Sequence, residues 1–197
     1  MLELDLTFPH TYEVEEVREF PGTGKFSFPL HYFPPPKSRP EHNGLWLKVK
    51  ASDRAWIGVF AFGISSDVSR VVSTPDSKRI CVISKGGAYL VKADQPDIWE
   101  QIPVMPVVDV RPIPEQKLLV LSDFIRLAAC GSGGLVWRSP RVCWDGLKIV
   151  NVTHDTIEGT GYDPTNSITH ELRFVVDLKT GRSLLPSPVS VDGKPIW

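Results

Sequence analysis

Proline limits this chain more than any other residue. Eighteen prolines are spread over its 197 residues, about 9% against a usual ~5%, and 15 glycines are scattered among them. Each proline fixes φ, removes a backbone donor and breaks a helix interior. Few windows of helical length escape, so the chain is expected to be built of short strands and turns. With 42% hydrophobic and 23% charged residues, it can bury a core without metals or disulfides.

The strand pattern follows from this. Leu2, Leu4, Leu6 and Phe8 alternate with polar residues as a half-buried strand would, and Pro9 ends the run. Residues 11–20 suit either a short helix or a strand. Between Pro21 and Gly44 lie six prolines. The run "FPPPKSRP" is expected to be an extended arm on the domain surface, anchored by Phe26, Phe28, Tyr32 and Phe33. From Gly44 onward apolar runs alternate with turns: "LWLKVK" (45–50), "AWIGVFAF" (55–62), "RICVIS" (79–84), "AYLVKA" (88–93), "VVDVR" (107–111), "KLLVLS" (117–122), "LKIVNVT" (147–153) and "HELRFVVDL" (170–178). Lys85-Gly86-Gly87 reads as a hairpin turn, Asp145-Gly146 and Lys179-Thr180-Gly181 as tight turns. "SDFIRLAACG" admits a short helix capped by Ser122. The favoured alternative is a hairpin in which Ser122-Asp123 joins strands 117–121 and 124–130. The expected division is 1–44, an N-terminal strand and proline-rich arm packed on the domain, and 45–197, an all-β repeat domain.

An internal repeat supports the hairpin. Pro75-Asp76 and Pro114-Glu115 lie 39 residues apart. Each is followed by a lysine three positions after the proline, a buried strand, a turn at Ser84 or Ser122, and a second strand. Residues 154–163 and 171–181 form a looser third copy. A period near ~40 residues is the signature of propeller blades, although closed propellers use roughly four to eight. The expected fold class is all-β, a propeller-like or sandwich-like arrangement of short antiparallel sheets with ~40-residue repeats.

Several chemistries lose their motifs. The net charge is −1 and no basic run occurs, so neither a nucleic-acid partner nor a membrane is expected. Gly131-Ser132-Gly133-Gly134 lacks the Lys-Ser/Thr pair of a phosphate loop, and in "GTGK" (22–25) Phe26 stands where a hydroxyl is needed. "GTGYD" (159–163) is read as a bend between strands. No G-x-S-x-G marks a serine nucleophile. Cys81, Cys130 and Cys143 show no metal spacing and read as buried thiols in a reducing, cytoplasmic compartment, which leaves the sequon at Asn151 without meaning. His154, Asp155, Asp163 and His170 lack a spacing that forces two ligands together, and His10, His31 and His42 are isolated. No metal and no cofactor are expected.

What remains is "GSGGLVWRSPRVCWDGLKIV" (131–150). Arg138 and Arg141 have Asp145 and Asp163 as candidate partners, and Trp137, Trp144 and Tyr162 form a candidate aromatic wall suited to a carboxylate, sugar or peptide. The competing reading makes both tryptophans core residues on strands joined through Asp145-Gly146.

The stretch from Asp123-Phe124 through Gly131, Gly134, Trp137, Ser139, Arg141, Trp144-Asp145-Gly146, Gly159, Gly161, Tyr162 and Asp163 to Asp177-Leu178 resembles a family of uncharacterised proteins of bacteria and plants. The resemblance covers roughly residues 70 to 182. It departs at Tyr162, where the pattern has Trp, and at Cys143, where it has Ser. It implies one compact unit and carries no activity.

The sequence therefore leads to a non-enzymatic binding or protein-interaction domain that takes an unknown protein or small ligand. Trp137, Arg141, Trp144, Asp145, Tyr162 and Asp163 form its candidate ligand-binding surface, and no catalytic residue is assigned. The alternatives are a hydrolase-like enzyme working through Asp145, Asp155 and Asp163, and an immunity or inhibitor protein binding through the proline-rich arm.

Overall fold

The computed structural model describes residues 2–18, 26–36, 43–64, 66–164 and 170–185. Among them the regular elements are sixteen strands and one 3₁₀ turn at Pro114–Gln116, with no α-helix. The fold is all-β, in four small sheets. β1 (Glu3–Asp5) belongs to the second sheet. The first holds β2 (Tyr12–Glu16), β3 (Leu30–Phe33), β4 (Gly44–Ala51) and β5 (Arg54–Ala61), in the spatial order β2-β4-β5-β3. The second adds β6 (Arg70–Ser73), β7 (Arg79–Ser84), β8 (Gly87–Lys92) and β9 (Gln95–Gln101) in the order β1-β6-β7-β8-β9. β10 (Asp109–Ile113), β11 (Leu118–Ser122), β12 (Leu127–Gly131) and β13 (Gly134–Arg138) form the third, and β14 (Asp145–Val152), β15 (Thr156–Tyr162) and β16 (Glu171–Asp177) the fourth. All pairings are antiparallel except β1 with β6 and β3 with β5.

Turn chemistry sets the hairpins. Ser84 lies opposite Gly87, so Lys85 and Gly86 alone make the turn, and both have positive φ (42° and 84°). That is the primed geometry whose twist matches a two-residue hairpin. Gly131 lies opposite Gly134, which makes the glycine cluster a second tight hairpin. The repeated Pro-acid step turns β6 into β7 and β10 into β11. Asp76 O accepts the Arg79 amide at 2.9 Å, and Pro114–Gln116 form the 3₁₀ turn.

Side-chain alternation builds the stack. Within β7, Ile80 and Val82 face the first sheet, while Cys81 and Ile83 face the third. Likewise Leu119 and Leu121 pack against the second sheet, and Val120 against the fourth. The central strands therefore have no polar face, and their sequences are unbroken apolar runs. The fourth sheet buries one face only. Leu147, Ile149, Ile157, Phe174 and Val176 point inward, while Lys148 and Val150 are exposed on the other side, Val150 at 70%. No buried cluster joins the first sheet to the fourth among the described residues. The first sheet's outer face, at Trp46, Ile57 and Val59, continues into Leu30 and Tyr32 of β3 and is covered instead by Phe26 and Phe28.

Several expectations change. Residues 12–16 are a strand, with Val14 opposite Val49. Leu4 (50% exposed) and Leu6 (39%) do not join the core, although Phe8 does, because β1 is an edge strand paired on one side only. The turn after β11 is not Ser122-Asp123. Ser122 lies opposite Leu127, and Asp123 Oδ1 accepts the amides of Ile125 (2.8 Å) and Arg126 (2.6 Å) within a four-residue loop. Asp145-Gly146 is no hairpin turn either. It starts β14, with a register slip before Lys148 and Gly146 at φ 64°. Gly159 and Gly161 lie inside β15, where a bend had been expected. They are glycine because a Cβ would meet Lys148 O at 2.1 Å and Cys143 Cβ at 2.4 Å. The first 36 residues supply three strands to sheets shared with later segments. Of the proline-rich stretch, 26–36 are described. There Phe33 is a core residue (2% exposed) stacked on Phe60 at 4.7 Å, and Phe26 stacks on Trp46. The "GTGK" segment, Lys37 to Pro40 and His42 fall outside the described residues.

Candidate functional site

The six candidate residues divide into a surface group and a core residue. Trp137, on β13, is buried, and its Nε1 donates to Leu178 O at 2.8 Å. Gly181 packs so closely over the ring that a Cβ there would lie 2.5 Å from it. Trp137 is therefore a structural residue of the seam between the third and fourth sheets and is withdrawn from the candidate surface.

The others converge where β14 begins and β15 ends. Asp145 lies opposite Tyr162, and the Trp144 amide donates to Tyr162 O at 2.9 Å. Arg141 folds back over this corner. Its Nε donates to Cys143 O (3.0 Å) and its Nη2 to Trp144 O (2.6 Å), with the guanidinium 4.9 Å from the centre of the Trp144 ring. The arginine thus hydrogen-bonds two carbonyls of its own corner, and Trp144 beneath it is 41% exposed. Trp144 is not the core residue that the competing reading required. Tyr162 is exposed beside the ring of His170 at 5.7 Å. Asp163 is buried next to it, its amide donating to His170 O.

A concavity of about 390 Å³ adjoins this corner, lined by Pro103, Met105, Phe124, Arg126, Arg138 and Asp145, among others. It sits above the four-residue loop after β11, so Asp123 builds its floor by tying down the Ile125 and Arg126 amides. Met105 and Phe124 are exposed. Arg126 and Arg138 line the pocket and make no ion pair among the described residues. Met105 and Arg126 were not singled out from sequence, and Phe124 only within the resemblance motif. Their signal is spatial, since 103–105, 123–126 and 138–145 meet only when three sheets' loops come together.

Of the three carboxylates of the hydrolase alternative, Asp145 and Asp163 lie near one another, with Asp145 opposite Tyr162, and Asp155 is held apart from them. Asp145 and Asp155 stand at opposite ends of the β14–β15 hairpin, about 20 Å apart at ~3.3 Å per residue. Asp145 Oδ1 accepts the Gly146 amide, and Asp155 is exposed in the far turn with His154 at 3.9 Å. Cys143 does not meet a histidine in any described contact. Its thiol donates to Phe124 O at 3.4 Å, and burial, with Asp145 nearby, pushes its pKa up to about 12, so it stays protonated and unreactive near neutral pH. No group of three or more His, Cys, Asp or Glu side chains suited to hold a metal occurs among the described residues. His154 instead meets the Gln116 amide at 2.7 Å.

No protein-family model matches the chain, and no curated protein is significantly similar to it. No helix is long and apolar enough to cross a membrane among the described residues.

Proposed function

We propose that this chain is a non-enzymatic binding or protein-interaction domain that recognises a carboxylate next to an apolar group, as in an acidic peptide segment. The observation that carries this reading is the pair Arg126 and Arg138, which line an apolar-walled pocket with no ion partner of their own among the described residues. A guanidinium receives a carboxylate through two parallel N–H donors, and arginine beside exposed aromatics is the usual make-up of an interaction hot spot. Phe124 and Met105 supply the apolar wall. Asp145 repels a second anion and so orients the first.

The ~40-residue spacing of the hairpins and the face-to-face stacking support reading the scaffold as an open, propeller-like array. Three buried, unpaired thiols support a reducing, cytoplasmic setting. The arm is a poorer contact element, because Phe26 and Phe28 are already spent covering the first sheet.

The test is selection of a random dodecapeptide library on the protein, followed by titration of the winners. Enriched peptides are expected to carry Asp or Glu beside an aromatic or aliphatic residue, and to bind at least about tenfold more weakly to an Arg126→Ala/Arg138→Ala variant. Enrichment without acidic residues, or affinity indifferent to those substitutions, would overturn the proposal.

A further inference from the structure

A second concavity lies between the first and second sheets, where each ends in an edge strand, β3 and β9. It has two chambers, of about 330 and 710 Å³, and both are lined by His31, Pro96 and Asp97. His31 Nδ1 stands 3.6 Å from Asp97 Oδ1 where the chambers adjoin. Neither edge invites an added strand. β3 runs into Pro34, Pro35 and Pro36, and β9 carries Pro96 with a register slip against β8. Recognition here has to run through side chains.

The larger chamber joins an apolar wall of Phe28, Trp56 and Ile98 to the carboxylates of Asp53, Asp94 and Asp97, against Arg54. Trp56 is fixed because its Nε1 donates to Ala93 O at 2.8 Å, one residue before Asp94. The His31 ring meets it edge-on at 5.5 Å. Asp94 Oδ1 is enclosed and accepts no hydrogen bond, while its other oxygen faces Lys78 Nζ at 3.4 Å. The chamber therefore sets the partly open carboxylate of Asp94 and the exposed one of Asp97 beside a preformed aromatic wall.

We infer that this chamber is a receptor for a guanidinium group on an aliphatic stem. Asp94 and Asp97 receive its N–H donors, and Phe28, Trp56 and Ile98 cover the stem. The planar cation suits both surfaces, pairing with carboxylates and stacking on aromatic rings. Two sources share this chemistry, a free small cation and an arginine side chain of a bound peptide. The site is independent of the carboxylate pocket, being built from the other two sheets and of opposite charge preference.

The experiment is titration of the full chain, by calorimetry and ligand-observed NMR, with agmatine, N-acetylarginine amide, a blocked Pro-Arg-Pro peptide and N-acetylcitrulline amide. Saturable binding is expected for the guanidinium probes and not for the neutral citrulline. Binding should weaken at least about tenfold in Asp94→Asn or Asp97→Asn and stay unchanged in Arg126→Ala/Arg138→Ala. Asp97 is the safer variant for folding, since its side chain is 93% exposed. Agmatine binding assigns a free cation, and binding by the peptide alone assigns an arginine side chain. Equal binding of citrulline, full affinity in both aspartate variants, or no saturation by any guanidinium probe would overturn the inference.

Discussion

Trp137 and Trp144 stand seven positions apart and do opposite work. The first fills the seam between two sheets and spends its N–H on Leu178 O. The second is 41% exposed under Arg141. Trp137→Ala should cost about 3–5 kcal/mol, because it leaves both a cavity and an unpaired carbonyl. Trp144→Ala should stay within about 1 kcal/mol. Urea denaturation of the two variants checks the contrast, and a large loss at Trp144 would contradict the assignment of the corner as surface. The thiols make a second prediction. Burial raises the pKa of all three, to about 12 for Cys130 and Cys143 and well above the ordinary range for Cys81. Thiolate is then on the order of one part in ten thousand at pH 8 for the first two. Native protein should leave Ellman's reagent unreacted over minutes, and three equivalents should appear in denaturant.

At the scale of the element, short-range chemistry was legible in the sequence and close approach was not. The hairpin at Lys85-Gly86 and the paired Pro-acid repeats could be read because a turn depends on the residues that make it. The same holds for the unbroken apolar runs of β7 and β11, which demand burial on both faces. Gly159 and Gly161 could not be read correctly, because what excludes a side chain there is Lys148 O and Cys143, brought alongside by pairing. The pocket beside β14 was half legible. Arg138 and Asp145 come from one dense stretch, whereas Met105, Phe124 and Arg126 enter from loops distant in sequence. Two turns give predictions. Asp123→Ala removes the one acceptor that serves two loop amides and should cost about 1–3 kcal/mol by denaturant unfolding. Asp177 receives the Thr180 hydroxyl and amide, and these bonds hold its carboxyl below the usual range. Its folded pKa is depressed, so its contribution is complete above the unfolded value and is lost as pH falls through the folded one. Asp177→Asn should flatten the acid side of a pH–stability curve, and an unchanged acid limb would rule the contribution out.

Among the described residues the four sheets stack so that each shares a buried core with the next. Protection should be graded accordingly. In native-state hydrogen exchange, the amides of β7, β8, β11 and β12, covered on both faces, should open only with global unfolding. Those of β14–β16 should open earlier, through partial release of the fourth sheet. Uniform protection across all four sheets would argue against nearest-neighbour packing. One strand breaks the linear order. β1 skips the first sheet and pairs parallel with β6, Glu3 against Arg70. During synthesis, residues 3–5 therefore leave the ribosome long before the strand that receives them. The first sheet's own strands are complete by Ala61, so it can form while its leading segment waits. That order makes the clasp of β1 onto β6 a late step in the birth of the molecule.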